Sequence, residues 1–326
     1  MNTMKALQLT RTSSTVPPEL EIAELPIPQL KQGYALVRIH YASIQPSDKL
    51  NAQGSFPSTT YPRVLGRDYS GTVIDILSEN AESKSWIGKD VYGTSGSSLG
   101  FDTDGTHAQY CLIPENALVE KPTQLSPIQA ATIGVPFTTA MICLQRAQAK
   151  TDDVVLVLGA SGAVGSAVVQ IAKAMGCRKV LTAARRGNPD VSLGPDASIE
   201  ETISTLTDGM GVDVVIDTVG DLALMAVLVE QLAVRGRYAW ITGPRAGSTQ
   251  LAFDVLKAYR KEISLVGCNS VARTLEQTAE YLRSVNGWIE DGLLNSGNEA
   301  QFEIVKIDDA IAAGYGKPQK VVIDMS

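Results

Sequence analysis

A glycine-rich segment near the middle of the chain has the residue types and spacing of a phosphate-binding turn. Gly159-Ala160-Ser161-Gly162-Ala163-Val164-Gly165 directly follows a short apolar run and opens a segment with helical periodicity. Gly162 would let the backbone approach a pyrophosphate, and Gly165 would let the helix pack closely on the strand. The first N–H groups of that helix would bind the phosphates, which assigns cofactor binding to Ser161, Gly162, Ala163 and Val164. The competing interpretation is a tight strand-to-helix turn without a ligand.

Two arginines follow this turn at the distance where nicotinamide cofactors are distinguished. An acidic residue about 20 residues downstream of such a turn accepts a hydrogen bond from the ribose 2′-hydroxyl of NAD. This chain has Thr182-Ala183-Ala184-Arg185-Arg186 there. Guanidinium groups bind a 2′-phosphate through paired charged hydrogen bonds, whereas a carboxylate would repel it. We therefore predict NADPH rather than NADH, with Arg185 and Arg186 as cofactor-binding residues. The alternative is two solvated arginines on a surface loop.

The second half of the chain has the pattern that places such a turn at a sheet edge. Ser126-Pro127-Ile128-Gln129 predicts a helix start, and a further helix is predicted from about Val164 to Met175. Short apolar runs predict strands at 154–158, 180–184, 212–217, 238–241 and 263–266. Strands alternating with helices predict an α/β fold with a doubly wound parallel sheet.

The first 125 residues have a different pattern. Short alternating runs such as 35–40 and 71–76 are separated by Gly, Pro, Asn and Asp, which predicts a compact β-rich domain. Near the end, 274–286 predicts an amphipathic helix, and 302–305 and 321–323 predict edge strands that rejoin this domain. We predict a discontinuous catalytic domain, residues 1–125 and 267–326, around a dinucleotide-binding domain, residues 126–266.

Composition excludes several classes of protein. The 28 basic and 35 acidic residues give a net charge of −7, which disfavours nucleic acid as a partner. No apolar run approaches the ~20 residues of a membrane span, and the N-terminus has no secretory pattern, so we expect a cytoplasmic protein without a membrane partner. The four cysteines form no C-x-x-C pair and only two histidines occur, so we expect no metal site.

With these residues considered, the chain resembles the zinc-independent quinone oxidoreductase branch of the medium-chain dehydrogenase/reductase superfamily. The resemblance runs in order along the chain through the segments 42–48 (ASIQPSD), 61–71 (YPRVLGRDYSG), 105–110 (GTHAQY) and 131–140 (ATIGVPFTTA). It implies a GroES-like catalytic domain beside a Rossmann-type cofactor domain. It also implies further cofactor contacts from Thr138, Val219, Gly243 and Cys268.

The departures from the superfamily pattern concern the metal. Zinc-dependent members carry Cys where Gln45 stands and His where Arg67 stands, and the four-cysteine lobe is missing. The resemblance therefore implies a metal-free site with Gln45 and Asp48 as catalytic residues beside the nicotinamide. Gln45 would donate through its amide to the charge that develops on the substrate, and Asp48 would orient a neighbour or a water. Asp48 is equally readable as a carboxylate that caps a loop.

Without a metal, the remaining chemistry is hydride transfer to a polarised acceptor. We expect an NADPH-dependent reductase of quinones or of α,β-unsaturated carbonyls, acting on a small-molecule substrate. The alternatives are a pathway-specific enoyl reductase and a cofactor-binding protein with little turnover. The resemblance also implies a homodimer, and the short apolar strands at 238–241 and 263–266 are the candidate edges for pairing.

Overall fold

The computed structural model describes residues 2–317 and 320–326; residues 1, 318 and 319 lie outside this description. The strands are β1 Thr3–Thr10, β2 Glu19–Pro26, β3 Tyr34–Ile44, β4 Arg63–Val64, β5 Tyr69–Leu77, β6 Asp90–Gly93, β7 Tyr110–Pro114, β8 Val154–Leu158, β9 Lys179–Ala184, β10 Val191–Ser192, β11 Val212–Asp217, β12 Leu232–Trp240, β13 Ser264–Gly267, β14 Glu303–Lys306 and β15 Val321–Asp324. The helices are α1 Pro46–Ala52, α2 Pro127–Arg146, α3 Ala163–Ala174, α4 Ile199–Leu206, α5 Leu222–Glu230, α6 Val255–Arg260 and α7 Leu275–Glu290.

The chain forms two compact units. The first comprises Met1–Val135 and Val271–Ser326, and the second comprises Pro136–Ser270. The sequence placed these divisions at 125/126 and 266/267. In the structure the first division falls inside α2, at Val135.

The second unit is a six-stranded parallel sheet in the order β10-β9-β8-β11-β12-β13. All five residues of β8 are buried because β8 lies in the centre, paired with β9 and β11. The chain order reverses between β8 and β11, and α3 follows β8 directly. This confirms the predicted doubly wound sheet, and its carboxyl edge at the reversal is where such folds bind ligands.

The first unit is β-rich, as predicted. One sheet has the order β14-β15-β3-β5-β6, with β7 also paired to β3, and a second has the order β2-β1-β4. The long strand β3 pairs antiparallel with β5, with Tyr41 opposite Ser70. The end of β3 therefore lies beside the start of β5. Gln45 follows β3 and the pair Arg67-Asp68 precedes β5, so this pairing brings the three side chains together.

Two strand positions differ from the sequence prediction. The 321–323 run was expected at an edge, but β15 lies between β14 and β3, so its residues Val321, Val322 and Ile323 are buried. Of the two candidate pairing edges, β12 lies between β11 and β13, and only β13 is at the edge. β12 also begins at Leu232, six residues before its predicted start. The early part of the strand contains Arg235 and Gly236, which interrupt the apolar pattern expected of a buried strand.

One helix of the described residues, α2, is long and apolar enough by length and composition to cross a membrane. The sequence analysis predicts no run of this length, and α2 differs from that prediction. Of its most apolar 18-residue window, 72% is buried inside the protein. A helix buried to this extent is typical of a protein core, so we interpret α2 as a core helix.

Candidate active site

The glycine turn forms the geometry that the sequence predicts. Gly159 has φ of +72°, a conformation that L side chains rarely adopt. A Cβ on Gly165 would lie 2.2 Å from the carbonyl oxygen of Gly159, so glycine is required for α3 to approach the turn. Gly162 is the N-cap of α3 and offers no side chain to its first N–H groups. These groups stand at an exposed helix start with a positive dipole end, which fits a phosphate.

A cavity of about 700 Å³ lies at the carboxyl edge of the same sheet. Its walls are the residue after β9 and the loops after β11 and β12, with the start of α5. Three of the predicted cofactor residues meet there: Arg185, Val219 and Gly243. The loops after β11 and β12 approach each other closely at Gly220, since a Cβ on this residue would lie 2.8 Å from the carbonyl of Thr242. The cavity therefore fits part of a dinucleotide at the switch point of the sheet.

Two charged residues of this cavity were missed by the sequence analysis, Asp221 and Arg245. Asp221 caps α5 by accepting from the N–H groups of Ala223 and Leu224 at 2.9 and 3.2 Å. Its second oxygen lies 3.7 Å from Nη2 of Arg185. An aspartate before a helix is a recognisable N-cap signal, but only the fold brings it next to the arginine that follows β9.

Other predicted cofactor residues lie outside the lining of this cavity. Arg186 is exposed, and Ser161, Gly162, Ala163 and Val164 form the start of α3. Thr138 is buried within α2. Cys268 is buried directly after β13, and its N–H donates to the carbonyl of Trp240 at 2.8 Å.

The Cys268 region is tied to α2. Nε of Arg146 donates to the carbonyl of Gly267 at 2.9 Å, one residue before Cys268. A hydrogen bond to the Cys268 thiol, together with burial, holds the pKa of the Cys143 thiol well above its ordinary value. The Cys143 thiol therefore packs as a neutral group.

The first unit holds a second group of polar residues, centred on two buried charges. Arg67 is 1% exposed and Asp68 is fully buried. Arg67 Nε lies 3.4 Å from Asp48 Oδ1, and its Nη2 donates to the Ser47 hydroxyl. The guanidinium carbon also lies 5.6 Å from the centre of the Phe101 ring. Arg67 is thus a fixed internal cation paired with Asp48.

Asp68 accepts hydrogen bonds from several donors. Both of its oxygens accept from the N–H of Val135, at 2.9 and 3.0 Å, and Oδ2 accepts from Nε2 of Gln45 at 2.8 Å. Burial raises the pKa of Asp68 to about 6, although the surrounding donors and Arg67 oppose the shift. Sequence reasoning did not single out Asp68, and its position directly before β5 and after Arg67 was the available signal.

The predicted catalytic pair Gln45 and Asp48 is engaged in this group. Nε2 of Gln45 donates to Asp68 and also to Oγ of Ser43, at 3.0 Å, which uses both amide hydrogens. A substrate could receive one of them only if one of these bonds opened. Asp48 Oδ2 accepts from the N–H of Gln45 at 2.8 Å and so caps α1. This matches the capping interpretation of Asp48 that the sequence left open.

His107 and Tyr315 extend the group on its other side. The imidazole hydrogen-bonds the Tyr315 hydroxyl at 2.9 Å through Nδ1 and the carbonyl of Ser43 at 3.1 Å through Nε2. Burial lowers the pKa of His107, so the ring is neutral near pH 7. A Cβ on Gly66 would lie 2.3 Å from this ring, so glycine there makes room for it.

Both units are similar in sequence to known protein families. Residues 31–123 match the alcohol dehydrogenase GroES-like domain, and residues 163–285 match the zinc-binding dehydrogenase domain. A zinc-type alcohol dehydrogenase-like protein of Schizosaccharomyces pombe is 44% identical over 308 residues, which are 94% of this chain and 92% of that protein. The chain belongs to the medium-chain dehydrogenase/reductase superfamily. It is an oxidoreductase of this nicotinamide-dependent group.

Within the superfamily, two further proteins are similar over nearly the whole chain. A quinone oxidoreductase of Pongo abelii is 26% identical over 315 residues, with 92% of each chain covered. The solved structure of an alcohol dehydrogenase superfamily protein from Novosphingobium aromaticivorans has a TM-score of 0.81 at 26% identity, covering 99% of this chain and all of that one.

Zinc is implied by the names of some superfamily relatives, but the residues present here do not suit it. Zinc ligands are thiolates, imidazoles and carboxylates. At the two positions where the sequence departs from zinc-dependent members, this chain has the Gln45 amide and the Arg67 guanidinium, a cation that cannot be a ligand. Among residues 2–317 and 320–326, no group of three or more His, Cys, Asp or Glu side chains is arranged to hold a metal ion.

Proposed function

We propose that the chain is an NADPH-dependent, metal-free reductase that transfers hydride to a quinone or to the activated C=C of an α,β-unsaturated carbonyl. The observation that carries the proposal is the cavity at the carboxyl edge of the parallel sheet, with Arg185 in its wall beside the glycine turn. A guanidinium there suits a 2′-phosphate, because its planar donors match phosphate oxygens. The similarity to a quinone oxidoreductase over 92% of the chain supports the substrate class.

The residues of the second unit would hold the cofactor. The start of α3 would bind the pyrophosphate through Ser161, Gly162, Ala163 and Val164, and Val219 and Gly243 would contact the adenosine side. When bound, the nicotinamide supplies the hydride.

The residues of the first unit would act on the substrate side. Hydride addition to an enone or a quinone leaves negative charge on oxygen, which fixed donors stabilise. Gln45 remains the proposed donor, and one of its hydrogen bonds to Asp68 and Ser43 would open to release an amide hydrogen to the substrate. Asp48 would orient Gln45 by accepting from its backbone N–H. Arg67 contributes a permanent positive charge to the same group without a metal.

The test measures NADPH oxidation by the full chain with a simple p-quinone, a small enone and an acyl-carrier-bound enone. In a separate assay, a primary alcohol is offered with NADP⁺. Turnover of the quinone or the enone, with the alcohol at background, is expected. NADPH binding without turnover of any of the three acceptors would contradict the reductase and favour a binding protein. Turnover only of an acyl-carrier-bound enone would instead identify the pathway-specific enoyl reductase.

Metal independence needs a separate test. After prolonged dialysis against a strong chelator, we expect unchanged turnover and less than about one zinc per ten chains by elemental analysis. Stoichiometric zinc that is lost together with activity would overturn this part of the proposal.

We also propose a homodimer that pairs β13 with β13 of a second copy. β13 is an edge strand, and Leu265 and Val266 on it are half-buried. The adjoining helix α6 exposes the apolar side chains of Val255, Leu256 and Tyr259. An open edge strand of this kind pairs readily with an identical strand around a two-fold axis.

A further inference from the structure

The cofactor cavity holds a charge arrangement that the sequence did not predict. Its wall carries three charged side chains, Arg185, Asp221 and Arg245. Arg186, the second arginine of the predicted pair, is exposed and lies outside the lining of the cavity.

Arg185 does not face the cavity as a free cation. Its Nη2 lies 3.7 Å from Oδ2 of Asp221, and Asp221 is held in place by the two N–H groups of α5 that it caps. Arg185 and Asp221 are 68% and 38% exposed, so their attraction is weak, but the carboxylate still offsets the charge that a phosphate would meet. A monosubstituted phosphate carries between about −1.5 and −2 at neutral pH, and one offset guanidinium does not balance it.

Arg245 is the second cation in the cavity wall, and it supplies the positive charge that Arg185 alone does not provide for a phosphate. It lies two residues after Gly243 on the loop that follows β12, and it forms no ion pair with any carboxylate among the described residues. Pro244 precedes it and restricts the loop backbone at this point.

We infer that Arg245, together with Arg185, binds the 2′-phosphate of NADPH, that Asp221 weakens this binding, and that Arg186 is not part of the site. The inference rests on the proposed NADPH dependence and assigns its specificity to the loop after β12 as well as to the end of β9.

The test is calorimetric titration of the full chain with two fragments, adenosine 2′,5′-bisphosphate and adenosine 5′-monophosphate. These probes differ only in the 2′-phosphate. Arg245→Ala is expected to lower the affinity for the bisphosphate roughly 10- to 100-fold, which is the range for a lost charge-assisted contact. The affinity for the monophosphate should not change. Arg245→Lys should recover part of the loss.

Two further variants test the role of Asp221 and the effect of net charge. Asp221→Asn keeps an N-cap for α5 and removes the negative charge, so it should raise the affinity for the bisphosphate severalfold. Arg260→Ala, an exposed arginine on α6 outside the cavity lining, controls for the change in net charge and should change neither affinity.

Several outcomes would overturn the inference. If Arg186→Ala weakens binding of the bisphosphate as much as Arg245→Ala does, Arg186 is part of the site. If Arg245→Ala leaves this binding unchanged, the loop after β12 does not bind the phosphate. If Asp221→Asn weakens adenosine 5′-monophosphate or NADH, Asp221 is a ligand for the ribose and not a counter-charge. If the wild-type chain binds both fragments equally and prefers NADH, the proposed cofactor itself is wrong, a result distinct from the failure of Arg245 alone.

Discussion

Both oxygens of the Asp68 carboxylate accept a hydrogen bond from the backbone N–H of Val135, at 2.9 and 3.0 Å. Val135 lies inside α2, directly before Pro136, which has no N–H and disturbs the regular helical ladder. A Cβ on the preceding Gly134 would lie 2.5 Å from Asp68 Oδ1, so glycine lets the carboxylate reach the helix. The same carboxylate orients Gln45, which makes Asp68 a positioning residue for the proposed catalytic pair.

The buried carboxyl of Asp68 leads to a pH prediction. Its pKa is raised to about 6, so the folded chain binds this proton more tightly than the unfolded chain does. Its contribution to the free energy of unfolding is therefore fully present below the unfolded pKa of 3.8 and is lost as the pH rises through about 6. Relative to Asp68→Asn, the wild-type chain should gain about 1 kcal/mol on moving from pH 7 to pH 5. Urea unfolding at both pH values measures this, and equal pH dependence of the two proteins would refute it.

Removing one partner of the Arg67–Asp48 pair should be strongly destabilising, because both partners are buried and the remaining charge would be left unpaired. Arg67→Met leaves the Asp48 carboxylate without its cation, and we expect a loss of roughly 3–5 kcal/mol. Asp48→Asn combined with Arg67→Met should restore part of it. Lys89→Met, which breaks the exposed Lys89–Glu120 pair, is the control and should cost less than about 1 kcal/mol. Similar losses for the two single variants in denaturant unfolding would show that burial does not govern these pairs.

Two glycines of the cofactor site should respond differently to alanine. Gly165→Ala places a Cβ 2.2 Å from the Gly159 carbonyl and should lower the free energy of unfolding by about 1–3 kcal/mol. Gly243→Ala meets nothing within 4 Å in the protein, so the melting temperature should not change. If cofactor fills that space, NADPH affinity should fall severalfold in Gly243→Ala. An unchanged affinity would remove Gly243 from the site.

The dimer proposal can be tested at the two edges of the parallel sheet. Light scattering at micromolar concentration should give about twice the 34.7 kDa of one chain. Ser264→Lys puts a charge on the exposed first residue of β13, and two such charges would repel across the axis, so this variant should be a monomer. Ser192→Lys makes the same change on β10 at the opposite edge and should leave the dimer intact. A wild-type monomer, or equal effects of both variants, would end the proposal.

The sequence by itself determined the features that depend on neighbouring residues. The continuous apolar run 154–158 predicted β8 with its observed bounds, because a strand buried on both faces needs apolar residues throughout. The glycine spacing at 159–165 predicted the turn and the start of α3, because residues with a side chain rarely adopt the backbone conformation at 159 and a Cβ at 165 would block the close approach. The β-rich start and the alternation after 126 likewise predicted β-rich structure followed by a parallel sheet, and Thr274 capped a helix where the sequence placed one.

Only the tertiary structure decided the features that depend on distant segments. Strand order cannot be read from local periodicity, so the interior position of β15 and the edge position of β13 became visible only in the assembled sheets. The pairing of β3 with β5 brings Gln45 to Asp68 and Asp48 to Arg67, which fixes the direction in which each side chain donates or accepts. Arg245 and Asp221 are ordinary loop and cap residues in the sequence. They join Arg185 in one cavity because parallel strands bring their carboxyl ends, and the loops that follow them, to the same edge of the sheet.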